Sequence, residues 1–177
     1  GKPLSIACTV HPFMLNVHLL VPYFFRSIFQ AIEERGLTSH GIWTLDPPPN
    51  QAEKYEFLLN MNYEIPLSDI HLAAACIRRY LLSLPDSLIP STSGSVFEEE
   101  VTYKSLREVI VQQPATNREV IRLIGLNLRK VLDNTSKNGV TIQTLIPVFA
   151  PIFFRPTQAQ TLKLTPARAR GIQEQIL

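Results

Sequence analysis

Apolar residues recur at helical intervals along most of the chain. Leu20, Phe24, Ile28, Ala31 and Ile32 follow three- and four-residue spacing, and Arg35-Gly36 then supplies a cationic last turn and a glycine stop. Asn50 stands three residues before Glu53, a capping-box-like start after Pro47-Pro48-Pro49, with Tyr55, Leu58 and Leu59 as the apolar stripe behind it. With Ser68 as N-cap, Ile70, Ala74, Ile77, Leu81 and Leu84 share one face until Pro85 stops the pattern, which predicts the strongest helix of the chain. Pro90 to Ser95 reads as a loop, and Glu98, Glu99 and Glu100 then sit where a helix N-terminus favours negative charge; Leu106, Val109 and Ile110 belong to that helix. Thr116-Asn117-Arg118-Glu119 reads as a capping box that opens a long helix through Val120, Ile124, Leu128, Val131 and Leu132, ended by Asn134 to Gly139. Thr141 caps a shorter helix through Phe149, bent or closed by Pro147 and Pro151, and Thr165-Pro166 starts a last one. Period-two alternation is found nowhere at length and no internal repeat is present, so the pattern predicts an all-α fold.

Composition adds limits to this picture. A chain of 177 residues with 45% hydrophobic content can bury one sizeable core, which predicts a single domain over residues 1–177. A start without Met, and an end at Ile176-Leu177 inside a helix-like pattern, lead us to expect a piece of a longer protein. Seventeen Lys plus Arg against fifteen Asp plus Glu leave a formal charge of +2, too balanced to argue for nucleic acid as a partner. Two cysteines, Cys8 and Cys76, are too few for a disulfide scaffold, which fits a reducing, cytoplasmic setting. Arg26 interrupts the apolar segment from Val17 to Ile32, and Arg78 and Arg79 interrupt that from Ile70 to Leu84, so neither reaches the ~20 residues of a membrane span.

Candidate chemistry is mostly negative. His11, His18, His40 and His71 show no ligand spacing and the cysteines are far apart, so no metal site is expected. The glycines form no phosphate-cradling loop, so neither a nucleotide cofactor nor a small-molecule substrate is expected. Asn134-Thr135-Ser136 matches a glycosylation acceptor but reads more simply as a helix-ending turn, and Ser91 to Ser95 reads as a flexible loop with phosphorylation as the alternative. His71 is expected to be a hydrogen-bonded core histidine. Arg118, Arg122 and Arg129 fall at i, i+4 and i+11, a basic stripe that either is plain solvated surface or faces an acidic partner or an anionic lipid head group.

A series of landmarks, taken in order, resembles the RhoGAP domain, the all-helical module that binds Rho-family small GTPases and speeds their GTP hydrolysis. Gly1-Lys2-Pro3-Leu4, Val21-Pro22, and Ala31-Ile32-Glu33-Glu34-Arg35-Gly36-Leu37 are similar to the family's entry and first long helix, and Gly41-Ile42-Trp43 to the start of its G-I-F/Y-R-x-S-G loop. Asp69-Ile70-His71-Leu72-Ala73 and Arg78 through Pro90 resemble its D-V-H-x-V-A and L-K-x-F/Y-L-R-E-L-P-E-P-L segments. Pro114 with Asn117-Arg118, Asn127-Leu128, and Asn138-Gly139-Val140-Thr141 through Thr144-Leu145 to Phe149-Ala150-Pro151 follow its later motifs in order.

The resemblance implies a RhoGAP-like helical bundle and a Rho-family GTPase as partner. It also implies a loss, because the family's finger arginine aligns with Thr44 and the following loop glycine with Pro47. Such an arginine is worth ~10³ to 10⁵ in rate, or roughly 4 to 7 kcal/mol, whereas a neutral hydroxyl donor supplies about 0.5 to 1.5 kcal/mol. The helix lysine becomes Arg78, the arginine one turn on becomes Leu82, and the late asparagine becomes Thr144. Trp43, Thr44, Arg78, Arg79, Leu82 and Thr144 are therefore the expected GTPase-binding residues, with Trp43 open to a role either as buried anchor or as interface hot spot. No catalytic residue is assigned, and the domain is expected to act as a binding and scaffolding module, recruited to membranes through its parent chain. Two alternatives remain: an active GTPase activator with a relocated arginine from Arg26, Arg35 or Arg78, or a protein- or phosphoinositide-binding scaffold using the Arg118, Arg122 and Arg129 stripe.

Overall fold

The computed structural model of the protein describes residues 21–61, 63, 65–93 and 102–156. Among these residues the elements are all helical, apart from one isolated parallel bridge between Ile89 and Phe154. Helix α1 (Tyr23–Ala31) runs on into a π turn (Ile32–Gly36), followed by α2 (Pro49–Asn60), α3 (Ile70–Leu82), α4 (Tyr103–Gln112), α5 (Ala115–Leu132), the single turn α6 (Thr135–Asn138) and α7 (Ile142–Phe153). No helix among the described residues is long and apolar enough to cross a membrane. The expected features at Gly1 to Leu4, Cys8, His11, His18, Leu20, Glu98 to Glu100, Thr165-Pro166 and Ile176-Leu177 lie outside the described residues.

Helix starts depart from the sequence expectation in an instructive way. The N-cap of α3 is Asp69 rather than Ser68, its carboxylate accepting from the amides of His71 and Leu72, each at 3.0 Å. The expected boxes at Asn50 and Thr116 are not formed: α2 and α5 begin behind Pro48 and Pro114, with no side-chain cap. Proline fixes the entry angle by its own φ and has no N–H to satisfy. Of the expected second box, Glu119 is engaged elsewhere, accepting from Arg122, and Asn117 between the two box partners donates to the Leu88 carbonyl at 2.9 Å. Reciprocal boxes do form at Thr102 with Ser105, and at Thr141 with Thr144. Helix α7 continues through Pro147 and Pro151 to Phe153 instead of closing at Phe149. Burial of Leu145, Phe149, Ile152 and Phe153 offsets the backbone bonds the prolines remove.

Helix α3 is the axis of the core, buried continuously from Leu72 to Arg78 and packed against α1, its π turn, α2 and α7. Beside it lies an aromatic cluster: Tyr80 meets Phe24 and Phe25 edge-on, and Trp43 lies between Phe29 and Phe149. Cys76 is buried within this core. His71 departs from expectation, since its Nδ1 is buried with no hydrogen-bond partner. A smaller cluster of Ile89, Leu106, Val109 and Phe154 closes the other side. There the exit of α3 is stitched to the end of α7: Leu88 and Ile89 donate to the Ile152 and Phe153 carbonyls, and the Arg155 guanidinium reaches the Leu82 and Leu84 carbonyls.

Candidate functional site

The segment from Leu37 to Pro48, between the π turn and α2, is built from below by two buried asparagines. Asn138 is fully buried; its Nδ2 donates to the carbonyls of Leu37 and Val131, both at 2.8 Å, and its Oδ1 accepts from the Val140 amide. Its own carbonyl accepts from the Gly41 amide at 2.8 Å, which ties the loop to α6. Gly41 has φ 66°, and a Cβ there would come within 2.9 Å of Leu45 Cγ, so the turn requires glycine. The amides of Thr44 and Leu45 then both fold back onto the Gly41 carbonyl, at 2.9 and 3.1 Å.

Trp43 also sits in the left-handed region, at φ 71°, a conformation a bulky residue holds only when its surroundings over-determine it. They do so here. The indole is 1% exposed, lies edge-on to Phe149, and donates from Nε1 to Asn127 Oδ1 at 2.9 Å. Of the two roles open for Trp43, the structure gives the buried anchor, and its side chain is not available as a surface contact. Asn127 was not among the expected site residues. Its signal was a polar residue on the apolar face of α5, beside Ile124, Leu128 and Val131.

Above this anchor, Thr44 is half-buried and its hydroxyl donates back to the Gly41 carbonyl at 2.9 Å. Arg78, expected at the surface, is only 7% exposed; its Nη2 donates to the Leu45 carbonyl at 2.8 Å and to Asp46 Oδ1 at 2.6 Å. Thus Thr44, Leu45, Asp46 and Arg78 form one constellation at the edge of α3. Arg79 beside it is half-buried, and Leu82, one turn along from Arg78, is exposed, as is Leu45 on the loop. Thr144 is exposed, and its hydroxyl serves the N-terminus of α7 by donating to the Thr141 carbonyl at 2.8 Å.

The basic stripe on α5 is less free than its spacing implies. Arg118 donates to the carbonyls of Val111 and Gln113, both at 3.0 Å, and so holds the turn between α4 and α5. Arg122 is gripped by both oxygens of Glu119, at 2.8 and 2.7 Å, with Arg26 3.7 Å from the same carboxylate. The Arg122 hydrogen bond holds the Glu119 carboxyl below its ordinary pKa, and Glu119 in turn raises that of Arg122. Arg129 is exposed. A small cleft of about 160 Å³ lined by Tyr23, Phe24, Ser27, Ile28, Ile65 and Leu67 includes none of the loop residues. No group of three or more His, Cys, Asp or Glu side chains among the described residues could hold a metal ion.

Fold and loop together define an all-α domain that offers one braced loop beside the last turns of its central helix. The sequence model of the RhoGAP domain matches residues 22–158, and the chain belongs to the RhoGAP domain family. Mouse Rho GTPase-activating protein 15 is 23% identical over 158 residues, covering 82% of this chain and 33% of that protein. The WW domain-containing protein tag-325 of Caenorhabditis elegans is 28% identical over 164 residues, covering 87% of this chain and 19% of that protein. The chain thus spans a third or less of the length of these two curated relatives. Among solved structures, human Rho GTPase activating protein 15 superposes with a TM-score of 0.71 at 21% identity, over 89% of this chain and 81% of that one, which establishes the shared fold.

Proposed function

We propose that this domain docks on a Rho-family small GTPase through the Thr44 loop and the Arg78 to Leu82 edge of α3, and stimulates GTP hydrolysis weakly or not at all. The observation that supports this reading is the constellation at the loop: the hydroxyl of Thr44, which the resemblance aligns with the family's inserted arginine, is bonded to its own loop. Charge building on the phosphate oxygens in the transition state calls for a guanidinium, worth ~10³ to 10⁵ in rate, and a neutral donor recovers only a small part of it. The arginines that could substitute are engaged within the chain. Arg78 is held by Leu45 and Asp46, Arg35 donates to the Leu67 carbonyl at 2.7 Å, and Arg26 lies 3.7 Å from Glu119. Asp46 at the loop is the counter-ion of Arg78, so this pair presents no net positive charge to a phosphate. The domain then serves its parent chain by binding and scaffolding rather than by catalysis. A basic-stripe docking on lipid is the weaker reading, because Arg118 and Arg122 already have acceptors in the chain.

The test is a pull-down against a panel of Rho-family GTPases loaded with GDP or a non-hydrolysable GTP analogue, paired with single-turnover hydrolysis. Binding is expected with a hydrolysis rate within about threefold of the intrinsic one, and stimulation of ~10³ would overturn the reading. If stimulation is found, its loss in Arg26→Ala or Arg78→Ala identifies a relocated arginine. Thr44→Arg is expected to restore only part of the activity, because Pro47, Leu82 and Thr144 also depart from the family pattern.

A further inference from the structure

Arg78 and Asp46 meet with opposite exposures. The arginine side chain is 9% exposed and the carboxylate side chain 82%, at an Nη2 to Oδ1 distance of 2.6 Å. Both bonds to the guanidinium head, from Asp46 and from the Leu45 carbonyl, fall on Nη2, while its Nε is buried with no hydrogen-bond partner. A guanidinium presents its donors in a rigid planar fork, and a buried one whose Nε is unpaired retains part of its desolvation cost. Its counter-ion is the replaceable member of the pair. Asp46 belongs to an irregular segment ahead of the Pro47-Pro48-Pro49 run, so its side chain can leave without opening the core.

From this we infer that the pair is a latch on the partner-facing loop: Asp46 holds on Arg78 the place that a side-chain carboxylate of the docked GTPase would take. The inference rests on the docking proposed above. An incoming carboxylate would accept from Nη2, the donor that Asp46 now holds. While Asp46 is in place, the loop is tied to α3 at Leu45 and Asp46, and docking must first displace an internal competitor. Asp46 is then a residue that sets affinity, and Arg78 the cation it withholds.

The experiment uses the 177-residue chain and its Asp46→Asn and Asp46→Ala variants. The first keeps an acceptor oxygen without the charge, the second removes both. Hydrogen exchange is read at the Thr44 and Leu45 amides, which bond to the Gly41 carbonyl, with the Ile77 amide of α3 as internal reference. Affinity is read against a Rho-family GTPase loaded with a non-hydrolysable GTP analogue. Asp46→Ala should speed exchange at the two loop amides about tenfold, leave Ile77 unchanged and tighten binding by at least about threefold, with Asp46→Asn between it and the parent. Loop exchange that is unchanged in both variants overturns the latch whatever the affinity. Faster exchange with equal or weaker binding overturns the role of Asp46 as the partner's stand-in. Faster exchange with no binding by parent or variants overturns the GTPase reading itself, which separates the two failures.

Discussion

Replacing Trp43 by phenylalanine tests whether the loop is held from within the core. The phenyl ring can keep the contacts to Phe29 and Phe149, but it removes the donor that satisfies Asn127 Oδ1. Asn127 is fully buried and its Nδ2 already has no hydrogen-bond partner, so the variant would leave the whole amide without a bond. An orphaned buried acceptor costs about 1 to 3 kcal/mol, and the space vacated by the larger ring adds roughly 1 to 2 kcal/mol. The sum, about 2 to 5 kcal/mol, is a large part of the ~5 to 15 kcal/mol that stabilises a typical domain. Urea unfolding followed by circular dichroism should show a lower midpoint with an unchanged slope. Adding Asn127→Leu removes the stranded amide, so the double variant should be more stable than the sum of the single losses by at least about 1 kcal/mol. A loss below about 1 kcal/mol for Trp43→Phe, or an additive cycle, would refute the claim that this bond anchors the loop.

Three further outcomes are expected. Gly41→Ala should lower stability by about 1 to 3 kcal/mol in thermal unfolding, because φ is +66° and the new Cβ would meet Leu45 Cγ at 2.9 Å; a variant as stable as the parent would contradict the turn geometry. Asp69→Ala should cost about 1 kcal/mol by freeing the His71 and Leu72 amides, read as a drop in Tm. Because Arg122 lowers the folded pKa of Glu119, the stability this carboxylate contributes is present above its unfolded value and is lost as the pH falls through the folded one. Urea midpoints followed downward in pH should therefore fall less steeply in Glu119→Gln than in the parent, and parallel profiles would exclude the linkage.

The helical architecture was legible because its signal is local. Ile70, Ala74, Ile77 and Leu81 repeat strictly enough that α3 could be drawn within a residue or two; its cap shifted from Ser68 to Asp69, and it ends at Leu82 instead of running through Leu84. The boxes read at Asn50 and Thr116 were not formed because a preceding proline sets each helix entry, and Glu119 pairs instead with Arg122. The bond of Asn117 to Leu88, 29 residues away, is one that spacing cannot report. Gly41-Ile42-Trp43 marked the loop in the sequence, but not the orientation of the side chains around it. That Arg78 turns inward depends on acceptors 33 and 32 residues earlier, which become neighbours only once α3 packs beneath the loop. Asn127 could have been found, since a polar residue on an apolar helical face announces a buried hydrogen bond.

The turn that carries Thr44 is fixed by its neighbours: glycine at 41, the indole at 43 and the backbone of Asn138. The threonine itself makes only a bond within its own turn, so a change of side chain there need not disturb the packing beneath. A different side chain at this spot, charged or neutral, is therefore compatible with the same turn, and what the loop presents outward is set separately from what holds it in place.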